Sequence, residues 1–381
     1  MTVSHWQRAE QQEREVDFLV VGAGLAGCSA AYFARQLHNR DVVITEARDV
    51  ALGASGRNAG FMISGLDTYY HRAIEEYGHD AAREVWGMSL RSFGHWRAFI
   101  ESGPFDVPLD ECGSLLLAET REEAQELELA ARALDADKIA IEYYSRDPLE
   151  RGYYAAIEQP LDAGVQPYLL VKAIMAQCGA ELVSNNEIYR LEQAGDWVRV
   201  YTRKYIFKAQ HVLLCTNAYS PLSDPYFVGK VVPTRAQCLV TEPIDHVPVP
   251  YCGYSDYGMM YYRSTFDGRF LLGGGRQHYR ADEGDTTEDR INPGVQAFLD
   301  EYLKKYFPDV TAPVAQRWSG IMGFSCDGLP LVGTLPGRPR IGFAVGFTGH
   351  GLALAGATVE RAVDKLITGR HAGAVDVSRL D

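Results

Sequence analysis

The chain has no CxxC cysteine pair, no HExxH motif, no long apolar run and no excess of basic side chains. Its seven cysteines are scattered and odd in number, which argues against a disulfide framework or a zinc site. This pattern favours reduced thiols in a cytoplasmic protein, and the unpaired histidines suggest no metal. Because no apolar stretch reaches membrane-spanning length and the opening residues are polar, we expect neither a membrane span nor a secretory signal.

The charge balance is acidic, with 37 Lys and Arg against 50 Asp and Glu. Nucleic-acid binding requires clustered basic side chains, so we expect no nucleic-acid partner. A net charge of −13 is compatible with a cationic substrate. The length of 381 residues favours two domains or one large interleaved unit.

The residues after the polar arm predict a βαβ unit. Apolar residues 17–21 read as a buried strand, 25–37 as a helix and 41–45 as a second strand. Gly22, Gly24 and Gly27 stand between the first strand and the helix, where a dinucleotide site needs a tight turn, close backbone approach and helix packing. Glu46 follows the second strand, where an acid accepts hydrogen bonds from ribose hydroxyls.

A second loop of small residues follows this acid, with the sequence GASGRNAG at 53–60. Such a density of Gly and Ala suits backbone that passes close to a large planar ligand, whereas an ordinary surface loop has no need of it. The guanidinium of Arg57 is expected near a phosphate or the ring of that ligand. The loop therefore favours FAD over NAD.

The rest of the chain alternates helices and strands. We expect an amphipathic helix over 73–100, broken at Gly78 or Gly87, and a surface helix over 121–135 that Thr120 and Glu123 cap. The other expected elements are a strand at 114–118, a turn at 162–167, a helix at 168–178, strands at 187–191, 197–202, 205–208 and 211–215, a hairpin at 259–273, a strand at 341–345 and a helix at 352–367.

Seven blocks in order along the chain resemble the FAD-dependent D-amino-acid oxidase superfamily, in its glycine oxidase and sarcosine oxidase branch. They are GAGLAG with Glu46, GASGRNAGF, LDAGVQPYLL, VLLCTNAYS, the hairpin from Tyr262 to Gly274, WSG through DGLPLVG, and GFTGHG. The sequence of the second block is most similar to that of γ-glutamylputrescine oxidoreductase-like members, which act on amines.

The resemblance implies an α/β fold, in which a Rossmann-like FAD-binding domain is interleaved with an α+β substrate domain built on an antiparallel sheet. The FAD part would comprise 1–85, 155–222 and 321–381, and the substrate part 86–154 and 223–320. The expected cofactor-binding residues are Gly22, Gly24, Leu25, Ala26, Gly27, Glu46, Ala47, Arg48, Ala54, Ser55, Arg57, Asn58, Ala59, Gly60, Phe61, Glu187, Ile188, Thr216, Asn217, Gly320, Gly349, His350, Gly351 and Leu352.

The chain departs from the resemblance at the covalent flavin link. Covalent members tether the flavin through a cysteine shortly before the Asp of the DGLPLVG block, and here that register holds Gly320. We therefore expect non-covalent FAD. Cys326, beside this Asp, is expected to be a small packed residue rather than a nucleophile.

A second departure concerns the substrate. Glycine oxidase-like members place an Arg after the WxG stretch to clamp a carboxylate, and here Met322 stands at that position. A free amino acid would lose a charge-assisted pair worth about 1.5–3 kcal/mol. An amine without an α-carboxylate is therefore favoured. Alternatively, Arg57, Arg263 or Arg276 supplies the clamp for a free amino acid.

The residues expected to contact substrate are Tyr261, Met322 and His350, and Tyr262 is the next candidate. The tyrosines of 251–262 could form an aromatic cage for a cation, although alternate tyrosines are also ordinary half-buried strand residues. The resemblance implies hydride transfer from the α-carbon of a neutral amine to flavin N5, with His350 in hydrogen bonding or packing. Oxygen or another acceptor would reoxidise the flavin. A non-catalytic FAD subunit of a larger complex is the alternative outside enzymes.

Overall fold

Strand β1 (Gln12–Val21) lies inside the first of two large sheets in the computed structural model, which describes residues 4, 6, 8 and 11–380. It pairs in parallel with β2 (Val42–Thr45) on one side and with β12 (Tyr205–Leu214) on the other. Residues 18–21 are buried because both faces of the sheet are covered: Phe18 and Val20 pack under the helices, and Leu19 and Val21 pack against residues of other strands. This explains their continuous apolar run.

Eight strands form this first sheet. Besides the three above they are β9 (Glu181–Val183), β10 (Ile188–Ala194), β11 (Trp197–Thr202), β18 (Leu331–Leu335) and β19 (Arg338–Val345). Helices α1 (Leu25–His38), α3 (His79–Ser102), α5 (Pro167–Cys178) and α9 (Gly351–Thr368) pack together through one apolar core.

The second sheet also has eight strands, in the order β17-β13-β16-β15-β14-β5-β7-β6. They are β5 (Ser114–Leu117), β6 (Glu142–Tyr144), β7 (Ala156–Gln159), β13 (Val231–Thr241), β14 (Cys252–Ser255), β15 (Met260–Ser264), β16 (Phe270–Gly274) and β17 (Val314–Ser325). All neighbours are antiparallel except β14 with β5.

Smaller elements join the two sheets. A three-stranded sheet contains β3 (Phe61–Met62), β8 (Ala163–Val165) and β4 (Leu109–Asp110). The remaining helices are α2 (Tyr70–Tyr77), α4 (Arg121–Ala136), α6 (Ser220–Ser223), α7 (Arg280–Glu283) and α8 (Pro293–Tyr306).

The mixed α/β architecture and the βαβ unit are confirmed, and several local predictions are corrected. The long helix is broken at Gly78, where φ is +83°, and continues through Gly87. The predicted turn at 162–167 contains β8, and the two strands predicted over 205–215 are one, because β12 pairs continuously with β1. Strands β13 and β17 and helix α8 were not predicted.

Helix α4 is capped by Thr120 as predicted, but it is not simply a surface helix. The Thr120 side chain accepts a hydrogen bond from the Glu123 N–H, while the Glu123 carboxylate is fully buried. This carboxylate accepts from the hydroxyl of Tyr69 and the N–H of Tyr257. The helix therefore connects to the second sheet through a buried acid.

The proposed domain division stays a prediction, and two strands bear on it. Strand β7 pairs in the second sheet although the boundary at 155 would assign it to the FAD part, and β17 runs through the boundary at 321. Residues 1–3, 5, 7, 9 and 10 of the polar N-terminal arm lie outside the described residues, and the prediction about a secretory signal stays open. Within 11–380, no helix is both long and apolar enough to cross a membrane.

Candidate active site

A cleft of about 1230 Å³, counted to its open mouth, lies between the two large sheets and is called the central cleft below. It brings together three segments that are distant in sequence: the glycine turn before α1, the loop at 53–60 and the start of α9. The predicted residues that line it are Gly24, Leu25, Ala26, Ala54, Ser55, Arg57, Asn58, Ala59, Phe61, Asn217, Tyr261, Gly320, Met322, Gly349, His350, Gly351 and Leu352.

The other predicted cofactor residues do not line this cleft. They are Gly22, Gly27, Glu46, Ala47, Arg48, Gly60, Glu187, Ile188 and Thr216. Several adjoin the glycine turn: the N–H groups of residues 185 and 186 donate to the carbonyls of Arg48 and Glu46. The segment between β9 and β10 is thereby held against the residues that follow β2.

The glycine turn is set by close contacts. Gly22 has a φ of +108°, and a Cβ there would lie 2.8 Å from the carbonyl oxygen of Cys215. A Cβ at Gly27 would lie 1.8 Å from the Gly22 oxygen, which only glycine can avoid. Gly24 has no side chain to cap helix α1, and the Ser55 hydroxyl accepts from the Leu25 N–H at 2.9 Å. The N–H groups that follow in the first turn have no side-chain acceptor within the described residues, so they are open to an anion.

The Glu46 carboxylate is fixed by backbone donors. Its Oε2 accepts from the N–H of Ala23 and its Oε1 from the N–H of Arg48, both at 2.8 Å. The acid is therefore held against the glycine turn, with lone pairs remaining for a further donor. This is the arrangement expected of a ribose-binding carboxylate.

The loop at 53–60 is held by its own asparagine. The Asn58 amide donates to the carbonyls of Ala54 and Ser55, and its oxygen accepts from the Gly60 N–H at 2.8 Å. Gly60 has a φ of +78°, and a Cβ there would lie 2.0 Å from the Val165 oxygen. The Asn58 side chain thus shapes the loop.

Arg57 is occupied by protein acceptors. Its Nε donates to the Leu52 carbonyl and its Nη1 to the Ser319 carbonyl, both at 3.0 Å, and Nη1 also contacts Asp289. The Trp318 indole in turn donates to the Arg57 carbonyl at 2.8 Å. Arg57 therefore joins the loop to the second sheet, and a direct phosphate contact stays a prediction.

Helix α9 points its amino end into the cleft. It begins at Gly351 after His350, and no side chain caps it. The preceding turn is stabilised by the Asn217 oxygen, which accepts from the N–H groups of Gly346 and Phe347 at 3.0 and 3.3 Å. Free N–H groups and the helix dipole favour negative charge at this position.

These features fit an FAD. The amino ends of α1 and α9 face the same cleft, and neither N-cap residue caps its helix with its own side chain. Gly24 leaves space that a Cβ would close, since it would lie 2.8 Å from the Ser55 hydroxyl. The α1 end and Glu46 would hold the pyrophosphate and ribose, and the α9 end would face the pyrimidine edge of the flavin.

Aromatic side chains from the second sheet line the opposite wall. Tyr254 and Tyr261 face the cleft and pack near Phe61, with ring centroids 5.2 and 6.3 Å from it. Tyr262 does not: it is fully buried and donates its hydroxyl hydrogen to Tyr153. The prediction that Tyr262 contacts substrate is therefore wrong. Tyr261 and Tyr262 are adjacent in the strand, and adjacent strand residues face opposite sides of a sheet.

Two arginine candidates for a carboxylate clamp differ in position. Arg263 is buried outside the cleft, donates to the Gly60 and Ser264 carbonyls and lies over the Phe266 ring, so it braces the hairpin. Arg276 lines the cleft, its guanidinium lies 5.4 Å from the centre of the Phe324 ring, and no acceptor within the described residues takes a hydrogen bond from it. Its guanidinium hydrogens are available to a ligand.

Asp67 is a cleft residue that the sequence reasoning missed. It lines the cleft with a side chain 27% exposed, and its nearest ionic partner is Nδ1 of His350 at 3.8 Å. No side chain or backbone group within the described residues donates a hydrogen bond to it. Burial raises the pKa of Asp67, although His350 and Arg276 lower it in part. No motif marks this acid.

A second cavity of about 1100 Å³ adjoins the first and is called the side chamber below. The two cavities share four lining residues: Asp67, Tyr254, Gly258 and His350. Met322 and His350, which were predicted with Tyr261 to contact substrate, line the central cleft, and His350 also lines the chamber. The acid thus lies at the junction of two spaces.

The cysteine prediction is corrected in part. All seven cysteines are free, but Cys326 is exposed rather than packed, and it does not line the cleft. Gly320 does line it, and a Cβ there would meet only the Arg57 side chain, at 3.5 Å. The position that carries the tether in covalent members is therefore open space beside the cleft.

The chain matches the family model described as "DAO: FAD dependent oxidoreductase" over residues 17–364. It is 24% identical over 374 residues to a "Probable oxidoreductase OrdL" from Haemophilus influenzae, covering 91% of this chain and 81% of that one. It is 27% identical over 364 residues to the γ-glutamylputrescine oxidoreductase of Escherichia coli, covering 88% and 80%. The crystal structure of glycine oxidase from Geobacillus kaustophilus has the same fold, with a TM-score of 0.80 at 20% identity over 94% and 95% of the two chains.

Proposed function

Since the chain belongs to the DAO family of FAD-dependent oxidoreductases, we propose that it oxidises a C–N bond of a primary or secondary amine to an imine. The observation that carries this proposal is a cleft lined by Tyr254, Tyr261 and the start of α9, in which Met322 stands where an arginine would be needed to clamp a carboxylate. The similarity to an oxidoreductase of an amine adds support.

Bound FAD would supply the hydride acceptor. The residues of this chain have other tasks. The amino end of α9 stabilises negative charge that develops at its end of the cleft. The side chains of Tyr261 and Met322 exclude water and orient the α-carbon, which is the main requirement when a neutral amine loses hydride. The imine then leaves and is hydrolysed in water.

Non-covalent attachment of FAD is supported by Gly320, which offers no thiol, and by the position of Cys326 outside the cleft. The cofactor is held by the glycine turn, Glu46 and the loop at 53–60. The electron acceptor is oxygen or another small oxidant. A cytoplasmic location is supported by seven unpaired thiols.

Oxidation of a free amino acid is the second candidate, and Arg276 favours it. This guanidinium faces the cleft and has no hydrogen-bond acceptor among residues 11–380, so it could clamp a carboxylate in place of the arginine that Met322 replaces. Substituting Arg276→Gln separates the two. It would raise KM for an amino acid at least tenfold and leave KM for an amine nearly unchanged.

Anaerobic bleaching of the flavin tests the proposal. The purified protein is mixed with matched pairs, each an amine and the amino acid that differs only by the α-carboxylate, and absorbance is followed. Faster bleaching by the amine supports the first candidate, and faster bleaching by the amino acid replaces it with the second. A flavoprotein that neither class bleaches would fit the non-catalytic subunit. Hydrogen peroxide formed in air distinguishes oxidase from dehydrogenase.

A further inference from the structure

The side chamber is lined mainly by hydrocarbon and aromatic surface. Trp86, Leu134 and Ile157 form part of its wall, and Ala130 of α4 faces it as well. Each of these four is at least nine-tenths buried in the same apolar cluster. Filling such a cavity with water is only weakly favourable, whereas burying an apolar ligand group in it is strongly favourable.

The chamber is held open by fixed contacts. The Trp86 ring lies on Gly65, whose φ is +97° and where a Cβ would lie 2.8 Å from the ring. On the other side, Tyr69 and Tyr257 pack with ring centroids 5.6 Å apart, and both are bonded to the buried carboxylate of Glu123. Because both walls are braced, the space is part of the folded structure.

Asp67 supplies the charge at the chamber's opening toward the central cleft. It lines both cavities, and no donor within the described residues hydrogen-bonds to it. The charged groups that face it are His350 at 3.8 Å and Arg276. A carboxylate at this junction that receives no hydrogen bond within the described residues favours a cationic group of a ligand that extends into both spaces.

We propose that the side chamber binds the non-reacting hydrocarbon substituent of an N-substituted amine, whose nitrogen binds as an ammonium opposite Asp67 and whose reacting carbon lies in the central cleft. The ammonium gives its proton to the Asp67 carboxylate, and the neutral amine that results loses hydride. The inference rests on the proposed amine oxidation and specifies its substrate class. Short primary amines would leave the chamber unfilled and bind weakly. A secondary amine with a long apolar N-substituent would use both cavities and the acid between them.

Binding to the oxidised holoenzyme tests this without turnover. The probes are N-methylbutylamine and N-methylhexylamine, titrated calorimetrically under anaerobic conditions at a temperature where bleaching is slow. Two added methylenes entering an apolar chamber should tighten Kd by about fifteenfold, roughly fourfold for each. Equal Kd values for the two probes would overturn the proposal.

Filling the chamber provides the matched comparison. Ala130→Leu should abolish most of the chain-length gain, meaning the factor by which the hexyl probe binds more tightly than the butyl probe. The Kd of the butyl probe itself should be nearly unchanged. Ala124→Leu, on the same helix but outside the chamber, should keep the full gain. Leu134→Phe serves if the first variant is unstable in a melting assay. A full chain-length gain in a folded chamber variant would contradict the proposal.

The charge at the junction is tested with Asp67→Asn. This variant should weaken N-methylhexylammonium binding at least tenfold and leave binding of the neutral hexyl methyl ether unchanged. Equal losses for both probes would contradict the role of Asp67. Probes that bind with the expected gain but never bleach the flavin would overturn the proposed oxidation and leave the chamber assignment standing. Bleaching of the flavin without any gain in affinity from the longer chain would support the proposed oxidation and overturn the chamber assignment.

Discussion

Nη1 of Arg57 lies 2.5 Å from Oδ2 of Asp289, and this contact connects the glycine-rich loop at 53–60 to the segment after α7. The other carboxylate oxygen of Asp289 accepts from the Ser319 hydroxyl at 2.7 Å, and the Ser319 carbonyl accepts from Arg57. The three residues form a closed bridge between the two parts of the cleft wall.

Replacing Asp289 with Asn should loosen this bridge. The side chains of Arg57 and Asp289 are 32% and 41% exposed, so their ion pair contributes little to holding the bridge together. We expect FAD affinity to fall about two- to fivefold, measured by flavin fluorescence released on dilution. Glu288→Gln, which alters a neighbouring exposed pair with Arg290, is the control and should change nothing.

Glu46→Gln should weaken FAD binding much more. The substitution removes a charged acceptor fixed by Ala23 and Arg48, and hydrogen bonds to charged groups contribute about 1.5–3 kcal/mol. A loss of affinity of roughly 10- to 100-fold follows. Titration of the apoprotein with FAD measures it, with Glu13→Gln on the same sheet as control. Unchanged affinity would remove Glu46 from the cofactor site.

Acid denaturation should release all of the flavin as free FAD. Gly320 offers no nucleophile, and Cys326 is exposed and does not line the central cleft. Cys326→Ser should therefore have the same flavin content and release. Flavin that stays with precipitated protein would contradict non-covalent binding, and its loss in this variant would identify the tether.

Glu283→Gln should destabilise the fold strongly. Arg235 and Glu283 are 0% and 1% exposed and lie 2.9 Å apart, so the variant leaves a buried guanidinium without its counter-charge. We expect a loss of about 3–5 kcal/mol in the free energy of unfolding, measured by urea denaturation. Glu128→Gln, in an exposed pair with Arg132, should cost at most about 0.5 kcal/mol.

The buried pair of Arg235 and Glu283 also makes the stability of the fold depend on pH. Burial alone would raise the pKa of Glu283, but hydrogen bonds from Arg235, Asn292 and Gln237 lower it below its ordinary value. Its contribution is therefore present above the ordinary pKa and lost as pH falls through the lower folded-state pKa. The stability gap between the native chain and Glu283→Gln should narrow in acid. A constant gap would contradict this.

The effect of Asp67 on stability should have the opposite pH dependence to that of Glu283. Burial raises its pKa, so its charge destabilises the folded protein as pH rises from the ordinary value through the raised one. Without an amine, the free energy of unfolding of Asp67→Asn should match that of the native chain at low pH and exceed it at neutral pH. Urea denaturation at several pH values measures this, and the exposed variant Asp80→Asn should show no such trend.

The glycine turn and Glu46 could be predicted because their requirements are local. A strand, a turn in which side chains would collide, and a helix occur within one continuous segment, and the contacts of Gly22 and Gly27 show why glycine stands there. The family resemblance extended this prediction to FAD and to Gly320. Strand β13 was missed because Arg235 and Gln237 interrupt its apolar pattern. Both are buried only because Glu283 and its neighbours, far along the chain, bond to them.

The sequence by itself determined that this chain binds a dinucleotide, because steric limits on a short segment leave few alternatives. Only the tertiary structure decided which side chains face the substrate. Tyr261 and Tyr262 are adjacent in β15, and the packing of the second sheet turns the first to the cleft and the second to the core. Asp67 and Arg276 gain their importance in the same way. Their charges meet in one cleft through contacts that no local pattern encodes.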